Sequence, residues 1–118
     1  MSTTGPDLLD HLTAQRQEMV DLVTRLVEIE TPSDDAAAQA PILALLTDAL
    51  GSAGLTVEHR PGTRSAGQLV ARAGNGTNRT QVIIGHADTV WPVGTLDEMP
   101  VKIEDCLLYT SDAADEGH

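Results

Sequence analysis

Phenylalanine is absent from these 118 residues, and tryptophan and tyrosine occur once each, as Trp91 and Tyr109. Any core must therefore be built from Val, Leu, Ile and Ala. Basic residues are also scarce: Lys and Arg total 7 against 18 Asp and Glu, a formal net charge of −11. That balance leaves no basic patch and argues against nucleic acid or an anionic membrane as a partner. The single cysteine, Cys106, excludes an intramolecular disulfide, which fits a reducing compartment. No segment reaches the roughly 20 apolar residues of a membrane span. The first residues lack the basic start and unbroken apolar stretch of a secretory signal, so the expectation is a cytoplasmic chain. Asn75-Gly76-Thr77 and Asn78-Arg79-Thr80 fit the glycosylation pattern, but without a signal segment they read as turn chemistry. Serine-hydrolase elbows, phosphate loops, Cys-x-x-Cys pairs and His-Glu-x-x-His helices are all missing, which removes support for those chemistries.

What is present is a pattern of two helices followed by strands. Leu8, Leu12, Met19, Val23, Leu26 and Val27 recur at helical spacing and predict a helix from about Pro6 to Ile29. Its apolar stripe is expected to pack on the chain's own sheet. Thr31-Pro32 ends it, since proline restricts the residue before it. Ser33 is placed to cap a second helix, with Asp34 and Asp35 in its first turn and Ile42, Leu45, Leu46 and Leu50 on its apolar side. Pro41 either kinks that helix or marks a late start, and Gly51 and Gly54 end it. Strands are expected over Leu55–Arg60 and Gln68–Ala73, with turns at Pro61-Gly62 and Asn75-Gly76. Gln81–Ile84 is short, apolar and β-branched, the composition of a strand central in its sheet. A further strand begins near Pro100–Glu104. Together these predict an α/β layer architecture. The length suits one small domain; half of a larger one would leave apolar surface exposed.

The most informative stretch is Val82-Ile83-Ile84-Gly85-His86-Ala87-Asp88-Thr89-Val90. Imidazole and carboxylate are both ligands for a divalent metal. In an extended backbone residues i and i+2 point the same way, so His86 and Asp88 can face one site from the end of a strand, where ligands bind in open α/β sheets. A His-x-Asp pair by itself is also what a surface turn after a core strand looks like.

The longer string Gly85-His86-Ala87-Asp88-Thr89-Val90-Trp91-Pro92-Val93-Gly94-Thr95 resembles the first metal-site motif of the M20 family of metallopeptidases, and is most similar to its glutamate carboxypeptidase branch. Upstream, Leu26-Val27-Glu28-Ile29-Glu30-Thr31-Pro32-Ser33 resembles the family's first helix and the turn after it. The likeness runs from about Asp7 to Asp105. It implies the N-terminal part of a zinc-peptidase catalytic domain and two zinc ions in the complete enzyme. It further implies hydrolysis of a peptide or amide bond near a free carboxylate, with a small peptide or N-acyl amino acid as substrate. By the resemblance His86 is a ligand of one zinc. Asp88 is the catalytic-site carboxylate that accepts the imidazole N–H facing away from the metal, an arrangement that fixes the tautomer and raises ligand basicity. A homodimer is compatible with the family's complete enzymes. Trp91 either lines a substrate pocket or anchors the loop. His11 and His59 have no ligand at useful spacing and read as surface residues, and His118 reads as a disordered terminal residue.

The family's remaining ligands and its Glu-Glu general-base pair have no counterpart in this sequence. Asp112 and Asp115 fall near the expected bridging aspartate, but Thr110-Ser111-Asp112-Ala113-Ala114-Asp115-Glu116 does not match that motif, and neither residue takes the role. The segment from Cys106 to Glu116 back-translates to TGT CTC TTA TAC ACA TCT GAC GCT GCC GAC GAR, which resembles a transposase-based sequencing adapter. The expectation is that residues 1–105 are a partial catalytic domain, inactive as they stand, and that 106–118 are a non-native tail. A competing reading is a non-catalytic binding or assembly module carrying a vestigial metal-site motif; it requires a closed core and cooperative unfolding.

Overall fold

The computed structural model describes residues 4–74, 76, 79–105 and 107–109. The architecture is broadly α/β, with helices and two small antiparallel strand pairs. The chain divides into two compact units, residues 1–28 with 101–118, and residues 29–100.

In the first unit, α1 (Gly5–Ala14) and α2 (Arg16–Val27) stand where one helix is predicted. Thr4 caps α1 in a reciprocal box with Asp7, which satisfies N–H groups that the first turn leaves without partners. The break falls at Gln15, whose N–H is shared between the carbonyls of His11 and Leu12. Two residues earlier the Thr13 hydroxyl donates to the Leu9 carbonyl at 2.8 Å, a back-bond that bends helices. The apolar stripe is not buried as expected: Leu8, Leu9, Leu12, Met19 and Val23 are all exposed. β3 (Lys102–Glu104) pairs antiparallel with β4 (Leu107–Tyr109), and Asp105 turns the chain between them at φ 50°. Cys106, Asp112, Asp115 and His118 lie outside the described residues.

In the second unit, α3 (Ala36–Ser52) packs on a hairpin of β1 (Thr56–Arg60) and β2 (Gln68–Arg72). Asp35, not Ser33, caps α3, its carboxylate accepting from the Ala38 N–H at 2.9 Å. Pro41 sits inside the helix and so does not mark its start; having no N–H, it cannot make the usual bond to the carbonyl four residues earlier. Hairpin register pairs Val57 with Ala71 and His59 with Leu69. On the other face Glu58 meets Arg60 at 3.1 Å and Arg72 at 3.2 Å, exposed pairs that add little stability. The connecting loop closes on Gly67 (φ 101°), where an added Cβ would lie 2.1 Å from the Arg60 carbonyl oxygen; only glycine fits there.

One predicted element is missing. Gln81–Ile84 belongs to neither helix nor strand, and Val82, Ile83 and Ile84 are 74%, 98% and 89% exposed. A central strand needs a neighbour on each side, and no described strand pairs with this segment. Among the described residues the sheet expected around it is replaced by two separate strand pairs. Burial concentrates elsewhere: Thr31, Pro32, Gln39 and Ile42 are the buried residues among those described. The best-packed part of this unit is thus the turn before α3 and the helix's first two turns. α4 (Thr95–Glu98) is a single turn that follows Gly94 in the left-handed region.

Candidate functional site

The buried turn holds the segment that carries His86 and Asp88. Thr31-Pro32-Ser33 runs parallel to Asp88-Thr89-Val90, bridged at Pro32 and Thr89. The Thr89 N–H donates to the Thr31 carbonyl at 2.7 Å, and the Ser33 N–H donates to the Thr89 carbonyl at 3.0 Å. Side chains repeat the pattern: the Thr31 hydroxyl donates to the Ala87 carbonyl at 2.7 Å and the Ser33 hydroxyl to the Thr89 carbonyl at 3.1 Å. Thr31 is only 1% exposed, so its hydroxyl needs that acceptor. Ser33 thus bonds to a segment 56 residues away, while Asp35 takes the cap of α3.

Gln39 braces the turn from behind. Its amide nitrogen donates to the Pro32 carbonyl at 2.6 Å, and its carbonyl oxygen accepts from the Ala66 N–H at 2.9 Å. A buried glutamine with both ends satisfied ties the turn to the hairpin loop.

The structure brings His86 and Asp88 together. The His86 Nδ1 lies 3.2 Å from the Asp88 Oδ1 and 3.1 Å from the Asp88 carbonyl oxygen. Two acceptors at Nδ1 favour the tautomer protonated there, which leaves Nε2 as the ring atom open to a ligand. The His86 side chain is 84% exposed and that of Asp88 43%. The Asp88 carboxyl is held below its ordinary range, first by the Ser33 hydroxyl, then by its own backbone N–H and last by the His86 imidazole, with desolvation opposing them.

Beyond Asp88, residues 90–94 arch away and return to the same turn. The Glu30 carboxylate accepts from the Gly94 N–H and the Leu96 N–H, each at 2.9 Å. Those two bonds, Leu96 first, hold the Glu30 carboxyl below its ordinary range. Between turn and loop lies a shallow, open groove lined by Pro32, Ser33, Asp34, Thr89, Val90 and Pro92. Trp91 is half-buried and does not line it.

Chemically, the pair supplies one nitrogen donor backed by a carboxylate. A catalytic zinc takes three protein ligands. Among the described residues no three His, Cys, Asp or Glu side chains come together. His86 thus fits the part of one ligand, and its surroundings do not complete a set.

Sequence reasoning missed Glu30, Thr31 and Gln39 as anchors. Glu30 falls just past the end of a helix, before a Thr-Pro breaker; an acidic residue there has no helical role, and that is the one signal it offers. No protein-family model matches the chain, and neither a curated protein nor a solved structure matches it.

Proposed function

We propose that this chain is part of the catalytic domain of a zinc-dependent peptidase or amidohydrolase of the M20 type, similar to the glutamate carboxypeptidases. The observation that carries the reading is the His86–Asp88 pair: Nδ1 faces the carboxylate and Nε2 is left open, the orientation in which a carboxylate fixes a metal-binding imidazole. In this reading His86 holds zinc through Nε2 and Asp88 fixes the ring. Zinc, when bound, supplies activation of water and polarisation of the substrate carbonyl. The substrate class is a small peptide or N-acyl amino acid with a free carboxylate near the scissile bond.

The exposed Val82–Ile84 segment supports the companion proposal that further strands complete this domain. The 118 residues alone then lack turnover with added zinc. The test is the source gene read across the Asp105 codon and the product of its continuous frame assayed with zinc. The expected frame carries the remaining acidic and histidine ligands. In that product His86→Ala removes zinc and activity, and Asp88→Ala costs about ten- to a hundred-fold in activity or metal affinity. Normal zinc content and turnover in Asp88→Ala defeats the role given to it. A genomic frame that ends as this chain does, with cooperative unfolding of the 118 residues, favours instead the non-catalytic module.

A further inference from the structure

Four consecutive residues, Glu30 to Ser33, hold both ends of one loop. Thr31 and Ser33 fix its start at Ala87–Thr89 through two backbone and two hydroxyl bonds. Glu30 fixes its end at Gly94 and Leu96. We infer that Glu30 is a positioning residue: its carboxylate clasps the Gly94–Leu96 backbone, closes the loop that carries Trp91, and so sets the wall that Val90 and Pro92 give to the groove beside Asp88.

Three features of the site carry this. The contacts are long-range, 64 and 66 residues apart in sequence, so helical proximity does not produce them. The acceptor is charged, and charge-assisted bonds to backbone N–H are stronger than neutral ones. Gly94 has φ 103°, a conformation that costs most residues free energy and that turns its N–H and that of Leu96 toward one carboxylate. Thr95 then closes its own turn, its hydroxyl donating to the Pro92 carbonyl at 2.7 Å. The clasp does not depend on zinc and stands whether or not the peptidase reading holds.

Other charged groups lie on the neighbouring segments. Asp97 and Glu98 are in α4, Asp34 and Asp35 follow the turn, and His86 and Asp88 lie at the start of the held segment. The carboxylates among them titrate in acid too, so variants must separate them from Glu30.

The test is amide hydrogen exchange and Trp91 fluorescence on the 118-residue chain, Trp91 being its only tryptophan. Glu30→Ala is expected to speed exchange at Gly94 and Leu96 by about tenfold or more, with β1–β2 amides unchanged. Glu30→Gln keeps one carbonyl oxygen and restores part of the protection; Glu30→Asp is too short and does not. Unchanged exchange at Gly94 and Leu96 in Glu30→Ala overturns the clasp. Equal loss at the β1–β2 amides overturns it as a local device. The second measurement needs only small changes to the chain: Trp91 emission is followed as pH is lowered. A carboxyl whose folded pKa is depressed holds its contact above the unfolded pKa and loses it as pH falls through the folded one. Emission should therefore change below the ordinary carboxylate range and not in Glu30→Gln. A transition that persists in Glu30→Gln belongs to the other carboxylates and overturns the proposal.

Discussion

Two triplets flank Gly85 and behave in opposite ways. Val82-Ile83-Ile84 has the best strand composition in the chain, yet it forms no strand and stands almost wholly exposed. Ala87-Asp88-Thr89 has an ordinary, polar composition, yet it is bound on one side by the Thr31-Pro32-Ser33 turn, whose first two residues are buried. Strand propensity measures how well side chains fit a half-buried pleated surface. Where no neighbouring strand supplies that surface, β-branched residues gain nothing from it. The polar triplet is ordered because specific donors and acceptors meet it.

The same contrast decides how much of the fold could be read in advance. α3, β1 and β2 lie within a residue or two of their predicted spans, because their signals are local: an apolar helical repeat, a Pro-Gly turn and alternating strands. The break at Gln15 was hidden because both halves keep one helical period. The exposure of Val82–Ile84 was hidden because composition reports what a strand prefers, not whether a partner is there. The candidate pair was legible, since residues i and i+2 of a His-x-Asp string were expected to share a side, and His86 and Asp88 do meet. Its support was not. Ser33 has the chemistry of a helix cap, and only the approach of Thr89 from 56 residues away shows that it serves another segment. Gln39 carries no local signal of its role, a buried bridge between Pro32 and Ala66.

The sharpest way to break the contrast is to remove the bond that pins the polar triplet. Thr89→Pro deletes the N–H that meets the Thr31 carbonyl at 2.7 Å. Thr31 is buried, so its carbonyl is left without a partner, and the ring also constrains Asp88. The combined loss is expected to be about 3 kcal/mol, read as a lower midpoint in urea denaturation. An unchanged midpoint would mean that the parallel bridge contributes no stability. Thr31→Val is gentler. It keeps the shape and removes the hydroxyl that donates to the Ala87 carbonyl. Because it also spares the burial of a polar group, the net cost should be near 1 kcal/mol. Hydrogen exchange should rise at the Thr89 amide next door while the β1–β2 amides keep their protection.

The smallest effect is expected on the other side of Gly85. Ile83 is 98% exposed, so Ile83→Lys removes almost no buried apolar area and leaves no orphaned polar group. Substitutions at such positions change stability by less than about 0.5 kcal/mol. Solubility should rise, because a charge interrupts a short β-branched run of the kind that pairs with other chains when exposed. Sedimentation across a concentration series reads that directly, and urea denaturation reads the stability. A loss of 2 kcal/mol or more, far beyond the range for exposed sites, would show that Ile83 is buried in solution and would erase the contrast between the triplets. A neutral result would keep it and make Ile83→Lys the better background for the Glu30 and Thr31 variants. If further strands complete the domain, the same substitution becomes costly in the longer protein, since a lysine inside a central strand would bury an unpaired charge. Ile83→Lys therefore distinguishes a segment exposed by nature from one that lacks its neighbours.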